Sequence, residues 1–327
     1  MARILSASET VFPLAETFTI SRGSRTEART VTVEVRDGDR AGHGESVPYA
    51  RYDETVDGVI AEIMALQEAI AAGLDRAALQ QALPGGAARN ALDCALWDLE
   101  ARQSGRRAYE IAGLASPGPV ETAFTLSLEA PDVMREKAQK NAHRPLLKIK
   151  LGGEGDLARL EAVRAGAPDA AIIVDANEGW SPAIYADLAP ELIRLGVKMV
   201  EQPLPAGADA ALAEMERSLP VCADESCHDR ASLPDMIGKY DMINIKLDKT
   251  GGLTEALALK QQAIEAGLGI MIGCMVASSL AMAPAMLLAQ GADIVDLDGP
   301  LLLATDRPHP LVYDAEGVHP SNRKLWG

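Results

Sequence analysis

Residues 146–175 read LLKIKLGGEGDLARLEAVRAGAPDAAIIVD, and this stretch holds the pattern that decides the fold. A short apolar run ends at Lys150, an Ala/Leu-rich segment with helical spacing follows, and a second apolar run ends at Asp175. Short apolar runs indicate buried strands, and a period of about 3.6 residues indicates the helix between them. The stretch is therefore predicted to form one strand–helix–strand unit.

The same pattern continues along the chain. The apolar runs lie at 146–150, 171–175, 198–201, 221–224, 242–246, 269–273 and 294–298. The charged ends of the first five runs, at 150, 175, 201, 224 and 246, are 25, 26, 23 and 22 residues apart. Repeats of this length build parallel (β/α) barrels, whose active sites lie at the carboxyl ends of the strands. No Gly-x-Gly-x-x-Gly motif follows the first strand, so the barrel is favoured over an open doubly wound sheet.

The N-terminal part follows a different pattern. Alternating β-branched residues over Thr30–Val35 predict a strand, and the Ala-rich segment Arg89–Arg102 carries leucines at helical spacing. A short stretch rich in Ser, Pro and Gly, Ser116–Pro119, marks a domain boundary. The sequence therefore predicts an α+β domain over residues 1–115, followed by the barrel over residues 116–305.

Composition and charge exclude several classes of partner. The 327 residues are 48% apolar and carry a formal net charge of −16, which disfavours nucleic acids and anionic membrane surfaces.

Four scattered cysteines are too few to cross-link a chain of this size and fit a reducing compartment. The N-terminus meets an acid before an apolar segment could form, so we expect a cytoplasmic protein. The uncharged segment 266–292 is long enough to span a bilayer, but glycines, serines and Pro284 divide it into core elements.

Three acids, Asp175, Glu201 and Asp224, close three consecutive predicted strands. In a barrel their side chains would meet at the rim, where carboxylates without a counter-ion repel one another at low dielectric. A lone acid at a strand end more often caps the following helix, but three in successive units predict a metal site. Oxygen ligands favour Mg²⁺ over Zn²⁺, with Mn²⁺ as an alternative ion.

A second set of residues beside Asp224 offers an alternative metal site. Cys222, Cys227 and His228 could suggest zinc. They lack a fourth ligand at metal-binding spacing, so we interpret them as packing residues.

Lysines lie on both sides of the three acids. Lys148 and Lys150 are at i and i+2 of one strand and share a face, and Lys246 ends a strand on the other side. A nearby cation and a second ammonium should lower the pKa of a lysine there, so that it accepts a proton at neutral pH. The pattern predicts removal of a proton beside a metal-bound carboxylate on one face and its return on the other, which inverts the carbon.

Five motifs together resemble one known family. They are Lys148–Lys150, Asp175–Asn177, Glu201–Pro205, Ala223–Ser226 and Asn244–Gly252. Their order and spacing are similar to those of the muconate-lactonizing subgroup of the enolase superfamily, over nearly the whole chain. The resemblance implies a modified (β/α)₇β TIM-like barrel with an N-terminal α+β capping domain, onto which a C-terminal tail over residues 306–327 packs back.

The same resemblance implies roles for six residues. Lys150 and Lys246 correspond to the acid/base pair and Lys148 to an assisting lysine, while the three acids correspond to the Mg²⁺ ligands. Within the subgroup, the chain resembles the L-Ala-D/L-Glu dipeptide epimerases. This implies an isomerase that inverts the α-carbon of the C-terminal residue of a dipeptide through an enediolate, and it implies a place in peptidoglycan peptide recycling.

The motif Asp296-Leu297-Asp298 bears on the choice of substrate. Carboxylates at i and i+2 of a strand point to the same side and form a receptor for a cation. In dipeptide epimerases a similar Asp-x-Asp motif looks like the clamp for the free α-ammonium group of the dipeptide. Alternatively, the two acids cap the turn that follows.

Two arginines near the start of the chain are candidates for binding the side chain of a dipeptide substrate. Residues 21–29 resemble the mobile segment that covers the active site in this superfamily. Arg22 or Arg25 is expected to pair with the side-chain carboxylate of the substrate glutamate, and the sequence does not separate the two. Alternatively, either one is a solvated loop residue.

Other functions stay open at this point. The same chemistry could serve other dipeptides, N-acylamino acids or a cycloisomerisation, and Asp296 would then be dispensable. A non-catalytic binding scaffold is disfavoured, because unpaired buried charges are costly without a metal and a substrate. The expected partner is a small dipeptide, and the sequence is compatible with a homo-oligomer.

Overall fold

The computed structural model describes residues 2–327, and its N-terminal part is built on a three-stranded antiparallel sheet in the order β1-β2-β3. The strands are β1 (Ile4–Ile20), β2 (Gly23–Asp37) and β3 (Arg40–Ser46). The predicted strand Thr30–Val35 lies inside β2. There Val31, Val33 and Val35 alternate toward the core and are fully buried, as the period of two residues in a strand requires.

Helices cover one face of this sheet. They are α1 (Val56–Met64), α2 (Gln67–Ala71), α3 (Arg76–Ala82), α4 (Ala87–Ser104) and α5 (Ala108–Ile111). The predicted helical segment Arg89–Arg102 lies within α4, which packs closely on β3. A Cβ atom on Gly44 would lie 2.0 Å from Ala91 O, and one on Gly42 would lie 2.2 Å from Ala95 O. The two glycines therefore permit the close approach of the helix to the strand.

The second part is an eight-stranded parallel sheet whose order follows the chain from β4 to β11. The strands are β4 (Phe124–Leu126), β5 (Leu146–Lys150), β6 (Ala171–Asp175), β7 (Val197–Glu201), β8 (Val221–Ala223), β9 (Met242–Ile245), β10 (Gly269–Ile272) and β11 (Ile294–Val295). Next to β4, Ala123 N donates to Val295 O of β11 at 2.8 Å, so the last strand returns to the first. The expected (β/α)₇β barrel with an α+β cap is confirmed.

Most connections between the barrel strands contain α-helices. They are α6 (Pro131–Lys140), α7 (Asp156–Gly166), α8 (Pro182–Arg194), α9 (Leu247–Thr250), α10 (Leu253–Glu265) and α11 (Ser279–Ala289). The connections on either side of β8 depart from the predicted strand–helix repeat, because their helical turns are the short 3₁₀ turns Ala206–Ala208, Ala210–Ala213 and Leu233–Met236. Pro205 and Pro234 lie at these turns, and proline lacks the backbone donor that a longer helix interior needs.

Two barrel strands differ from the sequence-based prediction. The strand β4 was not predicted, because its three residues are too few for a recognisable apolar run. The last strand is shorter than the predicted run 294–298, since β11 ends at Val295. The residues after Val295 consequently belong to a loop at the carboxyl end of the barrel.

The C-terminal segment contacts the cap. Its strands are β12 (Tyr313–Asp314) and β13 (Gly317–Val318). Further on, Trp326 Nε1 donates to Cys94 O at 3.0 Å, and Gly327 N donates to Asp98 Oδ1 at 2.8 Å. Both acceptors lie on α4, so the end of the chain contacts the same helix that packs on β3.

The uncharged segment 266–292 lies in the barrel. It contains β10 and α11, and every residue of α11 is buried. Among residues 2–327, no helix combines the length and the apolar character that crossing a bilayer would require. All four cysteines are free thiols.

Candidate active site

Three acids meet at the carboxyl ends of neighbouring barrel strands. Asp175 ends β6, Glu201 ends β7 and Asp224 directly follows β8. The three side chains each place one carboxylate oxygen within 4.8 Å of the others, and all three residues are at most 2% exposed. The strand ends thus bring the three predicted metal ligands to one point.

Two lysines lie on opposite sides of these acids. On the β5 side, Lys150 Nζ donates to Asp175 Oδ2 at 2.6 Å. On the β9 side, Lys246 Nζ donates to Asp224 Oδ2 at 2.6 Å. The strand order β5-β6-β7-β8-β9 therefore places the two amines at opposite edges of the acid cluster.

Lys148 lies in the middle of the cluster and is 1% exposed. Its Nζ is 2.6 Å from Glu201 Oε2, 3.2 Å from Asp175 Oδ2 and 2.8 Å from Asp296 Oδ2. One ammonium thus bridges acids from β6, β7 and the loop after β11, which offsets part of their mutual repulsion.

Burial and charge shift the pKa values of these groups. Burial, followed by the charge of Asp175, raises the pKa of Glu201 to about 7. Burial opposes ionisation of Asp224, but Lys246 and Lys249 outweigh it and hold the pKa of that carboxyl well below its usual range. Burial likewise opposes the charged form of Lys246, but Asp224 and Glu201 raise its pKa well above the usual value. The lowering of a lysine pKa, which was expected from a bound cation and a second ammonium, stays a prediction.

The donor set fits a hard divalent cation. Carboxylate oxygens are the ligands that Mg²⁺ prefers, and three carboxylates this close together repel one another, which a cation would relieve. The alternative zinc site is not supported. Over residues 2–327, the group close enough to share an ion consists of the three acids and does not include Cys222, Cys227 or His228.

Two residues that the sequence analysis did not assign a role hold the predicted metal ligands in place. Lys249 Nζ is buried and donates to Asp224 Oδ1 at 2.7 Å and to Asn244 O at 2.9 Å. Asn244 Nδ2 donates to Glu201 Oε1 at 2.8 Å. The sequence does contain a signal for the contact of Lys249 with Asp224. Lys249 follows Lys246 by three residues, and the short helix α9 turns both amines toward Asp224.

A small cavity lies between the barrel mouth and the cap. From the barrel it is lined by Thr125, Lys148, Lys150, Asn177, Asp224, Glu225, Lys246, Cys274, Met275, Val276, Asp296, Asp298 and Leu302. From the cap it is lined by Phe18, Ile20, Arg22, Arg25, Tyr49 and Tyr52. The lysines, the Asp-x-Asp motif and both candidate arginines therefore share one space, while Asp175 and Glu201 lie deeper.

The acids of the Asp-x-Asp motif lie in the loop after β11 and not on the strand, yet both face the cavity. Asp296 Oδ2 accepts a hydrogen bond from Lys148 Nζ, and Asp296 Oδ1 is buried with no partner in the described chain. Asp298 Oδ2 accepts from Thr125 N at 2.6 Å, and burial together with the charge of Asp296 raises the pKa of Asp298 to about 7. Asp298 precedes the 3₁₀ turn Gly299–Leu302, but its side chain does not cap that turn.

The predicted mobile segment 21–29 is a tight turn followed by a strand. Ser21 and Arg22 form the turn between β1 and β2, and the rest of the segment belongs to β2. Gly23 permits this turn, because its φ of 141° lies in a region that other residues rarely adopt. The register pairs Arg25 with Phe18 of β1, so the hairpin backbone fixes where Arg25 lies.

The two candidate arginines differ in their partners. Arg22 pairs with Glu178 and Glu225. The Arg25 guanidinium lies 5.8 Å from the centre of the Phe18 ring, and no acid between residues 2 and 327 pairs with it. Burial lowers the pKa of Arg25, as expected for a cation without a counter-charge.

Acids of metal-ligand type, flanked by two lysines at the mouth of a capped (β/α)₇β barrel, define an enzyme of the enolase type. The chain belongs to the mandelate racemase and muconate lactonizing enzyme family of that superfamily. Residues 5–113 match the mandelate racemase / muconate lactonizing enzyme N-terminal domain, and residues 133–306 match the enolase C-terminal domain-like family.

Relatives of known activity are epimerases and racemases. The L-Ala-D/L-Glu epimerase of Escherichia coli (strain K12) is 46% identical over 97% of this chain and 99% of its own. The N-acetyl-D-glutamate racemase of Pseudoalteromonas sp is 46% identical over 91% of this chain and 95% of its own. The expectation that the chain is an enzyme of the isomerase class is confirmed.

A crystal structure shares nearly the whole fold. An enolase family member from Agrobacterium tumefaciens with homology to dipeptide epimerases, bound to sodium and L-Ala-L-Glu with an ordered loop, is 53% identical. It covers 99% of this chain and 100% of its own, with a TM-score of 0.98.

Proposed function

We propose that this protein is a Mg²⁺-dependent epimerase that interconverts L-Ala-D-Glu and L-Ala-L-Glu. The observation that carries the proposal is the position of Lys150 and Lys246 at opposite edges of one acid cluster, in a cavity that also contains Arg25 and Asp296. The L-Ala-D/L-Glu epimerase among the relatives supports the choice of substrate.

The acid cluster is the metal site of this proposal. Asp175, Glu201 and Asp224 would hold Mg²⁺, with Mn²⁺ as an alternative ion. When bound, the ion supplies positive charge that makes the C–H bond beside a substrate carboxylate more acidic. Lys148, which touches two of the three acids, adds an ammonium charge at the same place.

The two outer lysines move the proton. The neutral amine of one lysine accepts the α-proton at its Nζ, and the ammonium of the other donates a proton to the opposite face of the carbon. The carbon is inverted because Lys150 and Lys246 approach from opposite edges of the cluster. In the reverse direction the lysines exchange roles, so both epimers are substrates.

The remaining cavity residues recognise the two ends of the dipeptide. Asp296 and Asp298 bind the α-ammonium group, for which the partnerless Asp296 Oδ1 is an available acceptor within the described chain. Arg25 forms a bidentate pair with the side-chain carboxylate of the substrate. We favour Arg25 over Arg22 because the donors of Arg22 are already directed at protein acceptors.

A second candidate is racemisation of an N-acylamino acid. The N-acetyl-D-glutamate racemase is as similar to this chain as the L-Ala-D/L-Glu epimerase is, and an N-acetylated substrate has no ammonium group. The buried, partnerless Asp296 Oδ1 favours the dipeptide, because an N-acetyl group would offer no ammonium donor to that oxygen.

Proton exchange in deuterium oxide separates the candidates. The protein is incubated with Mg²⁺ and either L-Ala-D-Glu, L-Ala-L-Glu or N-acetyl-D-glutamate, and the mass gain and epimer ratio are measured. We expect both dipeptides to gain one deuterium and to converge on one epimer mixture, and EDTA to stop the reaction. Exchange with N-acetyl-D-glutamate alone would establish the racemase, and exchange with none of the three would refute the proposal.

Two broader assignments accompany this function. We propose that residues 1–115 and the tail 306–327 act together as a cap over the barrel at 116–305, which the contact of Trp326 with α4 supports. We also propose that the enzyme works in the cytoplasm on peptides recycled from peptidoglycan. Four free cysteines and the identity of the relatives support this setting.

A further inference from the structure

The turn between β1 and β2 is held against the barrel by Arg22. Its Nη1 donates to Asn177 O at 2.8 Å and lies 3.1 Å from Glu178 Oε2. Its Nη2 donates to Glu225 Oε1 at 2.6 Å and to Tyr49 OH at 3.0 Å. One guanidinium thus joins the loop after β6, the loop after β8 and a second segment of the cap.

The barrel partners of this guanidinium belong to the loops that carry metal ligands. Asn177 and Glu178 follow closely on Asp175, and Glu225 directly follows Asp224. Asn177 and Glu178 have φ angles of 45° and 67°, a region that residues other than glycine adopt only when their surroundings hold them there. The hairpin turn therefore contacts the loop after β6 at a backbone conformation that its surroundings must maintain.

The acids that pair with Arg22 depend on it to different degrees. Glu225 is 4% exposed and its Oε1 lies 2.6 Å from Arg22 Nη2, so Arg22 supplies the counter-charge that a buried carboxylate needs. Glu178 is shared with Arg51 of the cap, which donates to both of its carboxylate oxygens at 2.9 Å. Two cap segments thus converge on one barrel loop.

We propose that Arg22 is a positioning residue that holds the hairpin closed over the cavity and so places Arg25, without touching the substrate. The inference rests on the proposed function, in which Arg25 binds the side-chain carboxylate of the dipeptide. The β1–β2 hairpin links the two arginines. Arg25 lies on β2, three residues after Arg22 of the turn, and pairs with Phe18 of β1. Release of the turn therefore moves Arg25 away from the cavity.

Hydrogen exchange of the turn tests closure without any substrate. Backbone amides of residues 17–24 are followed in the Mg²⁺-loaded protein for Arg22→Gln, Arg25→Gln and Arg29→Gln. Arg29 is the matched control, because it is on the same strand and pairs with Glu9 in an exposed ion pair outside the cavity. We expect exchange to rise about tenfold or more in Arg22→Gln and to stay at the wild-type rate in the other two.

A second measurement compares two dipeptides by deuterium uptake. For Arg25→Gln, kcat/KM should fall about tenfold or more with L-Ala-L-Glu and change little with L-Ala-L-Gln, which lacks the side-chain carboxylate. For Arg22→Gln, it should fall by a similar factor with both dipeptides, because an open hairpin impairs the site for either. Arg22→Lys keeps the charge but loses the fork geometry, so its values should lie between those of wild type and Arg22→Gln.

Glu178→Gln provides an independent test, since it weakens the same contact from the barrel side without leaving Glu225 unpaired. It should raise exchange in residues 17–24 as Arg22→Gln does. Unchanged exchange in both variants, or a loss in Arg22→Gln confined to L-Ala-L-Glu, would overturn the proposal. If wild-type protein takes up deuterium from no dipeptide, the proposed function fails, while the exchange of the turn amides still decides whether Arg22 holds the hairpin.

Discussion

The barrel mouth and the cap hairpin hold their charged groups in different ways. At the mouth, Lys148 and the three acids are at most 2% exposed and are carried by neighbouring strands of one sheet. On the hairpin, the Arg22 side chain is 27% exposed and reaches acids of the barrel from the cap. The positions of the mouth charges are therefore fixed within one sheet, whereas the position of the Arg22 guanidinium depends on the contact between cap and barrel.

The barrel mouth and the cap hairpin therefore suit two different tasks. Groups fixed by strands suit proton transfer and metal binding, because both require positions that do not change during the reaction. Groups on a closing hairpin suit substrate choice and exclusion of water. Substitutions at the mouth should therefore affect chemistry or metal affinity, and substitutions on the cap should affect selectivity or closure.

The largest effect is expected for the two outer lysines. Lys150→Met and Lys246→Met should each reduce epimerisation by about 10²–10⁴-fold, the usual range for loss of a general acid or base. Each variant should lose deuterium uptake from a different epimer of L-Ala-Glu, because each lysine serves one face. If both variants lose uptake from the same epimer, the opposite-face arrangement is wrong.

The next largest effect is expected for Lys249, which donates to the proposed metal ligand Asp224 but does not line the cavity. Lys249→Met should weaken Mg²⁺ binding by about 10–100-fold in calorimetric titration, because Asp224 loses the donor that orients it. The matched control is Lys260→Met. Lys260 Nζ donates to the main-chain oxygens of Leu288 and Gln290, away from the cavity. Equal Mg²⁺ affinity in the two variants would show that Lys249 does not orient the metal site.

A smaller and more selective effect is expected at Asp296. Asp296→Asn should lower kcat/KM for L-Ala-L-Glu about tenfold more than for N-acetyl-glutamate, because the dipeptide alone has an ammonium group for this acid. The ratio of the two losses cancels the effect of the disturbed contact with Lys148. Equal losses for both compounds would place the ammonium group elsewhere.

The smallest effect concerns the interface of cap and barrel. Asp248 of α9 accepts from Val47 N at 2.9 Å and Asn90 Nδ2 at 2.8 Å, and burial raises its pKa to about 7. The unfolded chain releases this proton near pH 4 but the folded protein retains it to about pH 7, so ionisation of Asp248 lowers stability as pH rises through that window.

Asp248→Asn should remove this pH dependence, since the amide oxygen can accept both hydrogen bonds without ionising. Relative to wild type, the unfolding free energy of the variant should rise by about 2–3 kcal/mol between pH 5 and pH 8, measured by urea titration at each pH. A constant difference across that range would mean that Asp248 is ionised in the folded protein throughout.

Much of the barrel and its acid cluster could be predicted because both follow from local spacing. Strands that recur about every 25 residues share one edge, so their last residues, such as Asp175 and Glu201, are brought together by any parallel barrel. The 3₁₀ connections beside β8 have the same spacing as helical ones, and spacing alone could not distinguish them. The three residues of β4 gave too little pattern to detect.

The different partners of Arg22 and Arg25 could not be predicted for a different reason. It depends on Glu178 and Glu225, which are 156 and 203 residues away from Arg22 in the chain. A single sequence contains no signal for which acids a hairpin will meet across a cap–barrel contact. The contact of Lys249 with the acid cluster was easier to predict from the sequence, because Lys249 lies one turn of helix α9 from Lys246.

The bond from Thr125 N to Asp298 Oδ2 spans the join between the first and last elements of the barrel. A carboxylate that is proposed to bind the amino end of a peptide thus also holds the last element of the barrel to the first. The two acids of the motif therefore differ in what their replacement would remove. Loss of Asp298 would leave the amide of Thr125 without its acceptor at the join, whereas loss of Asp296 would remove a contact of Lys148 inside the acid cluster.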